Sequence, residues 1–266
     1  MTDTPAHPKL SATVLLVRDQ AALEVLMVAR HYQIDFASGA LVFPGGKANS
    51  EDEATEWSDL VDGHYDGTQR AARICAVREA FEESGILLAR AASGRGAGAG
   101  LIGPDVADRL APLRGAVDRQ EESFLGLIKD NGLVLALDTL IHFGHWITPV
   151  MMPKRFDTHF YLAPTPAEQI ASHDGRETTD ARWLNPQTAL DLAEKDEATI
   201  IFPTRMNLRK LGAASSVADA HKLFANTGVV TVEPTLGKND EGQPCLFIPE
   251  EAGYGQTSEL LDSVMR

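Results

Sequence analysis

The chain has 266 residues, a formal net charge of −14 and 44% hydrophobic residues. That length suits one large domain or two small ones. The acidity leaves no basic footprint for nucleic acid or an anionic membrane, and no apolar run approaches the roughly 20 residues that cross a bilayer.

Residues 10–18 and 23–29 read as neighbouring strands joined by the polar turn at Asp19 and Gln20. Residues 41–43 form a short strand that runs into the tight turn Pro44-Gly45-Gly46. Residues 48–67 are acidic with little periodicity and read as a loop or insertion. The clearest helix spans residues 68–84, with Thr68 able to cap it and Gly85 able to end it. Residues 92–103 form a Gly/Ala-rich loop, residues 105–130 look helical in two segments, and residues 133–143 are apolar and ambiguous. Residues 155–163 and 179–184 alternate as strands do. A helix follows over 186–195 with Pro186 in its first turn, and residues 200–211 hold another. In the tail, 229–232 and 245–248 are strand-like, and a helix is expected from about Ser258. Strands, an inserted helix and further strands without a regular βαβ repeat give an α+β class with a mixed sheet.

The chemistry concentrates in Arg78-Glu79-Ala80-Phe81-Glu82-Glu83-Ser84-Gly85-Ile86. At about 100° per residue, Ile74, Val77 and Phe81 share one side of the helix, and Glu79, Glu82 and Glu83 cluster roughly opposite. The apolar stripe can pack on a sheet while the carboxylates face a cleft. Glu79 and Glu83 are four residues apart and repel each other without a cation. Hard oxygen ligands of this kind suit Mg²⁺ or Mn²⁺ better than zinc. A solvated acidic helix face is the plainer reading of the carboxylates taken alone.

Phe43-Pro44-Gly45-Gly46 followed by that stretch resembles the Nudix hydrolase family, whose box is G-x5-E-x7-R-E-U-x-E-E-x-G-U. The second half matches at every defined position. An insertion of about 18 residues separates the two halves, and Glu51 and Glu53 are the candidates for the early glutamate. The resemblance implies a mixed β-sheet sandwiched between helices. A Nudix domain over residues 7–212 would carry insertions at about 48–67 and 90–140, with residues 213–266 a C-terminal extension packed on it. It also implies a diphosphatase that uses Mg²⁺ or Mn²⁺. Glu82 and Glu83 match the metal ligands, Glu79 the glutamate that ligates metal or helps activate water, and Arg78 the arginine that orients a glutamate. Gly45 and Gly46 match the loop whose backbone approaches metal and phosphate. A further acidic ligand often comes from a later loop in this family, and Glu177 is the candidate; an ordinary polar loop residue is the alternative reading.

A second resemblance concerns the substrate. Coenzyme A diphosphatases of the family carry L-L-T-x-R-S-x3-R-x3-G-x3-F-P-G-G. Leu26, Arg30 and Gly39 fall in their places, whereas His31 replaces the serine and Asp35 replaces the second arginine. His145-Trp146-Ile147-Thr148-Pro149 and Arg155-Phe156-Asp157-Thr158 are similar to the peroxisomal-type branch. Arg30 becomes a substrate-binding candidate, and Arg155, Lys154 and Arg205 are candidates to meet phosphates. The expected partner is a small nucleotide diphosphate, coenzyme A or acyl-coenzyme A before ADP-ribose or NADH. A non-catalytic binding module of the same fold is the competing class, and the intact Glu79, Glu82 and Glu83 argue against it.

His142, His145, His159 and His173 lack H-E-x-x-H spacing and a cysteine pair, so no zinc site is expected from them. One of the segments 48–67 and 92–103 is expected to form a lid over the cleft. The strands at 229–248 either cover a sheet edge or make a homodimer contact. Only Cys75 and Cys245 are present, which fits a reducing compartment. The opening is polar, without a charged-then-apolar leader, and Ser-Val-Met-Arg at the C-terminus is not a peroxisomal address, so a cytoplasmic location is expected.

Overall fold

The structure is a computed structural model that describes residues 6–30, 39–96, 98–175 and 178–264. Asp35, His31 and Glu177 lie outside the described residues, and Arg30 is described by its backbone alone.

Strand β1 (Lys9–Asp19) is central. Its interior positions are buried on both faces because helices cover both sides of the sheet, so it reads as a near-continuous apolar run rather than a clean alternation. It pairs antiparallel with β2 (Leu23–Arg30), and β2 continues to β3 (Leu41–Val42). The three-residue β4 (Gly45–Lys47) pairs with the start of β1, Gly45 opposite Thr13 and Gly46 opposite Ala12.

Helix α1 (Gly67–Ser84) follows. Its cap is Asp66 rather than Thr68: Asp66 has extended backbone, and its Oδ1 accepts from the Gln69 N–H at 2.8 Å. Gly85 ends the helix in the left-handed region at φ 77°, a conformation a side chain would oppose. Short elements come next: β5 (Ala89–Ala91), α2 (Pro104–Leu110), α3 (Arg114–Asp118), α4 (Phe124–Asp130) and β6 (Leu133–Leu135). The apolar stretch from residue 133 to 143 thus divides between β6 and the start of β7 (Ile141–Ile147).

Strand β8 (Phe156–Pro164) lies parallel to β1 and antiparallel to β7, which makes the sheet mixed. Strand β9 (Thr178–Leu184) pairs with β2. Helices α5 (Pro186–Glu194), α6 (Phe202–Leu211) and α7 (Val217–Phe224) then cover the opposite face. Strand β10 (Thr231–Val232) adds to the sheet beside β7. Strands β11 (Thr235–Lys238), β12 (Pro244–Phe247) and β13 (Ser258–Leu260) form a small separate sheet. The tail is therefore not the expected helix: Ser258–Leu260 pairs with β12 and only Leu261–Ser263 winds into a 3₁₀ turn.

Two cores result. On one face α1 packs with Trp57, Phe124 and Leu135. On the other, Phe160 and Trp146 pack against Phe202 of α6 and against Leu246, Ile248 and Tyr254 of the extension. Tyr254 is fixed there, its hydroxyl accepting from Trp146 Nε1 at 2.8 Å. Residues 48–67 pack into the fold through Trp57. Trp57 is fully buried, its ring 5.8 Å from that of Phe124, which in turn lies 6.1 Å from Phe81 of α1. Among the described residues, no helix is long and apolar enough to cross a membrane.

Candidate active site

Helix α1 is buried around nearly its whole circumference from Ala71 onwards. Glu79, Glu82 and Glu83 are only 7%, 6% and 3% exposed, so they do not line an open cleft. Segment 48–67, strand β4 and helix α3 close over the polar side of the helix.

Arg78, itself 5% exposed, organises this interior. Its Nε and Nη2 donate to Asp52 Oδ1 and Oδ2 at 3.0 and 2.9 Å, a two-pronged pair. Its Nη1 donates to Glu79 Oε1 at 3.0 Å and to Glu82 Oε2 at 2.8 Å. Its Nη2 also reaches the Lys47 carbonyl at 2.9 Å, tying β4 to the helix. Burial alone would lower the Arg78 pKa, but Glu79 and Asp52 beside it reverse the sign and raise it.

Asp52 is the residue the sequence reading missed. Neither Glu51 nor Glu53 pairs with Arg78. Glu51 accepts from the Phe124 N–H at 2.9 Å and from the Ser123 hydroxyl, so it serves the N-terminus of α4, while Glu53 is exposed. Asp52 stands six residues after Gly46, the spacing of the first half of the box, with a shorter acid in place of glutamate.

The glycines of β4 permit close approach. The Gly45 N–H donates to Glu83 Oε2 at 3.0 Å. A Cβ on Gly46 would sit 2.4 Å from Glu79 Oε1, and one on Gly45 would sit 2.5 Å from Thr13 Oγ1. Gly46→Ala is therefore expected to displace Glu79 and lower kcat/KM about 10²-fold, the scale of a 1 Å misplacement at a reacting centre. Kinetics beside a circular-dichroism melt check that the loss precedes any unfolding. At the other end of the helix, Arg114 of α3 donates from Nε and Nη2 to the Glu82 carbonyl at 3.1 and 2.9 Å, satisfying a carbonyl of the last turn.

A divalent cation fits this set. Glu82 Oε1 is buried without a hydrogen-bond partner, although such atoms are normally satisfied. Burial, and then the charge of Glu79, push the Glu82 carboxyl up to about 8. One guanidinium faces three carboxylates, and the donors are all hard oxygens.

Other expectations from sequence place differently. Arg155 is not available to phosphate: it binds Glu233 Oε1 at 2.6 Å and the Thr148 and Ala6 carbonyls at 2.9 and 3.1 Å. Arg205 holds Glu259 Oε1 at 2.7 Å and the Ser263 carbonyl at 2.9 Å, which pins the C-terminal segment. Lys154 is exposed. A second polar cluster, His142, His145, His159 and Asp157, lies on the α1 side of β7 and β8. Burial and the neighbouring imidazoles hold His142 down to about 3 and His159 down to about 4, so both rings are neutral at pH 7.

The description of the NUDT19 Nudix domain matches residues 67–211, the first residue of α1 to the last of α6. The chain belongs to the Nudix family. The acyl-coenzyme A diphosphatase NUDT19 of Xenopus laevis is 26% identical over 82% of this chain and 68% of its own length. Its human counterpart is 26% identical over 91% of this chain and 75% of its own. A Nudix hydrolase from Alicyclobacillus acidocaldarius, solved by crystallography, superposes with a TM-score of 0.67 at 26% identity, covering 84% of this chain and 99% of that one. The α+β Nudix fold and membership of the hydrolases related to NUDT19 therefore stand as read from the box. Nudix enzymes typically depend on a divalent cation.

Proposed function

We propose that this Nudix hydrolase cleaves the diphosphate linkage of acyl-coenzyme A, with Mg²⁺ or Mn²⁺ held by Glu79, Glu82 and Glu83. Bound there, the cation would screen the diphosphate and lower the pKa of a water. Asp52 fixes Arg78, and Arg78 fixes one oxygen each of Glu79 and Glu82, so the carboxylates stay oriented. Glu79, pressed against Gly46, is the candidate to take the proton of the attacking water. Gly45 gives its N–H to Glu83 and Gly46 lies against Glu79, so the glycines let β4 pack directly on the carboxylates.

One observation carries the acyl reading. A cavity of about 600 Å³ lies on the far side of β4 from α1, within the usual size of a small-molecule site. Gly45, Gly46 and Lys47 line it, and these same residues touch Glu83, Glu79 and Arg78 on their other side. Its walls are mostly apolar: Trp146 and Phe160 from the sheet, Phe202 from α6 and Leu246 from β12. Met151 and Leu236, 49% and 53% exposed, continue the apolar lining outward. Thr13 and Thr158 provide hydroxyls for the amides of a pantetheine arm. A chain that passes from a diphosphate into this cavity meets apolar surface along its length, which neither ADP-ribose nor NADH would use.

The expected result is a kcat/KM for a long-chain acyl-coenzyme A at least about tenfold above that for free coenzyme A. Burial of two methylenes at about 0.8 kcal/mol each supplies that ratio. Leu236→Glu is expected to shrink the preference toward unity. Cleavage of ADP-ribose with coenzyme A and its thioesters left intact would overturn the substrate assignment.

A further inference from the structure

We infer that β7, β8 and β10 build a second metal site, for a single Zn²⁺-class ion, from His145, His159 and Asp157. It is separate in residues and in chemistry from the carboxylate site on α1.

The strand register creates the cluster. Asp157, His159 and Tyr161 alternate along β8 and share its α1-side face. On β7, His145 pairs with His159 and His142 with Tyr161, with a register shift between His142 and Gly144. Residues three apart on a regular strand point to opposite faces. The bulge at Phe143 cancels that alternation, so His142 and His145 emerge on one face while Phe143 enters the opposite core. The histidine spacing in sequence gives no sign of this.

The donor atoms converge. One ligand atom from each of His145, Asp157 and His159 lies within 4.8 Å of the other two. His145 Nε2 hydrogen-bonds Asp157 Oδ1, and His159 Nε2 stands 3.9 Å from the same oxygen. In a tetrahedral zinc site with bonds of about 2.0–2.1 Å, donor atoms are about 3.3 Å apart. Turning the His145 and His159 rings out of their parallel stack, together with a rotation of the 33% exposed Asp157 side chain, brings the three donors to that spacing around one ion.

Each imidazole is also oriented from behind. His145 Nδ1 is held by Thr231 Oγ1 of β10 at 2.8 Å, and His159 Nδ1 by His142 Nε2 at 3.1 Å. Metal-binding histidines have such an outer partner on the second nitrogen, which fixes tautomer and ring plane and leaves Nε2 for the ion. Two nitrogens and one carboxylate oxygen favour zinc and its neighbours over Mg²⁺, and three protein ligands leave a position open. The cluster borders the N-terminal half of α1, where Arg73 Nη1 donates to Tyr161 Oη at 3.3 Å. Arg73 precedes Glu79 by six residues, about 9 Å along the helix.

Titration calorimetry with Zn²⁺, in saturating Mg²⁺ to fill the carboxylate site, tests the proposal. The full chain is expected to bind one Zn²⁺. Asp157→Asn and His145→Ala are expected to weaken binding at least about 100-fold, and Thr231→Val about tenfold, the scale of an outer partner's loss. Glu82→Gln should retain the Zn²⁺ site. Co²⁺ in place of Zn²⁺ should give visible absorption bands that vanish in Asp157→Asn, a readout independent of activity. No stoichiometric Zn²⁺ binding, or binding lost in Glu82→Gln but kept in Asp157→Asn and His145→Ala, would overturn it.

Discussion

Glu82→Gln is expected to lower kcat/KM about 10³-fold, equivalent to about 4 kcal/mol of transition-state stabilisation, without lowering the melting temperature of the metal-free protein. Two observations require both halves of that result. Glu82 Oε1 is buried and unpartnered, so it has no structural hydrogen bond to lose. Its other oxygen accepts from Arg78 at 2.8 Å, a role the glutamine carbonyl can keep. What glutamine removes is a charge placed beside Glu79 in a poorly solvated interior, and that charge is useful only with a cation present. Mn²⁺ should raise the melting temperature of the native protein and do so much less in the variant. Steady-state kinetics and paired melts with and without Mn²⁺ check this; full turnover in the variant would remove Glu82 from the metal site.

Arg78→Ala carries the largest expected loss of stability. It leaves Asp52, Glu79 and Glu82 together without their shared counter-charge, and breaking a buried pair by removing one partner costs about 3–5 kcal/mol. At about 2–4 °C per kcal/mol, the melting temperature should fall by about 6–20 °C. Asp52→Asn should cost less, because Arg78 keeps two carboxylates and loses only one fork of its grip. Arg78→Lys should rescue little, since an ammonium cannot span both Asp52 oxygens and the Lys47 carbonyl. The double variant of Arg78 and Asp52 is expected to be far from additive. Chemical denaturation of the four proteins measures all of these terms. Equal small losses throughout would mean that Arg78 is not the organising cation.

The sequence carried the parts of this site that depend on local spacing. Helix α1 was legible from its apolar stripe and from Gly85, and the carboxylates were legible because they sit on that helix. Its burial was not. The wheel separated a polar from an apolar side, and only the tertiary return of Asp52, β4 and Arg114 showed that the polar side is covered as well. Asp52 was overlooked because glutamates flank it on both sides, although its distance from Gly46 was correct. The C-terminal residues 258–264 have a composition compatible with a helix, yet pairing with β12 overrides that preference for the first three. Helix α7 was also missed, despite Ser216 in the cap position. The histidine cluster depends on a bulge and on strand register, neither of which is visible in the spacing of the residues.

The substrate assignment divides in the same way. In the proposed function, the carboxylates and glycines would serve the diphosphate, and the cavity behind β4 would take what is attached to it. Residues 31–38, where Asp35 departs from the coenzyme A pattern, lie outside the described residues, so the acyl proposal is supported by the cavity and by the similarity to acyl-coenzyme A diphosphatases.

Hydrolysis of a long-chain acyl-coenzyme A in heavy-oxygen water with Mg²⁺, followed by mass spectrometry of the products, shows which bond the enzyme breaks. The expected products are adenosine 3′,5′-bisphosphate and the acylated phosphopantetheine, the thioester intact and the heavy oxygen in a phosphate group. Free fatty acid and coenzyme A, or an unchanged substrate, would contradict that expectation.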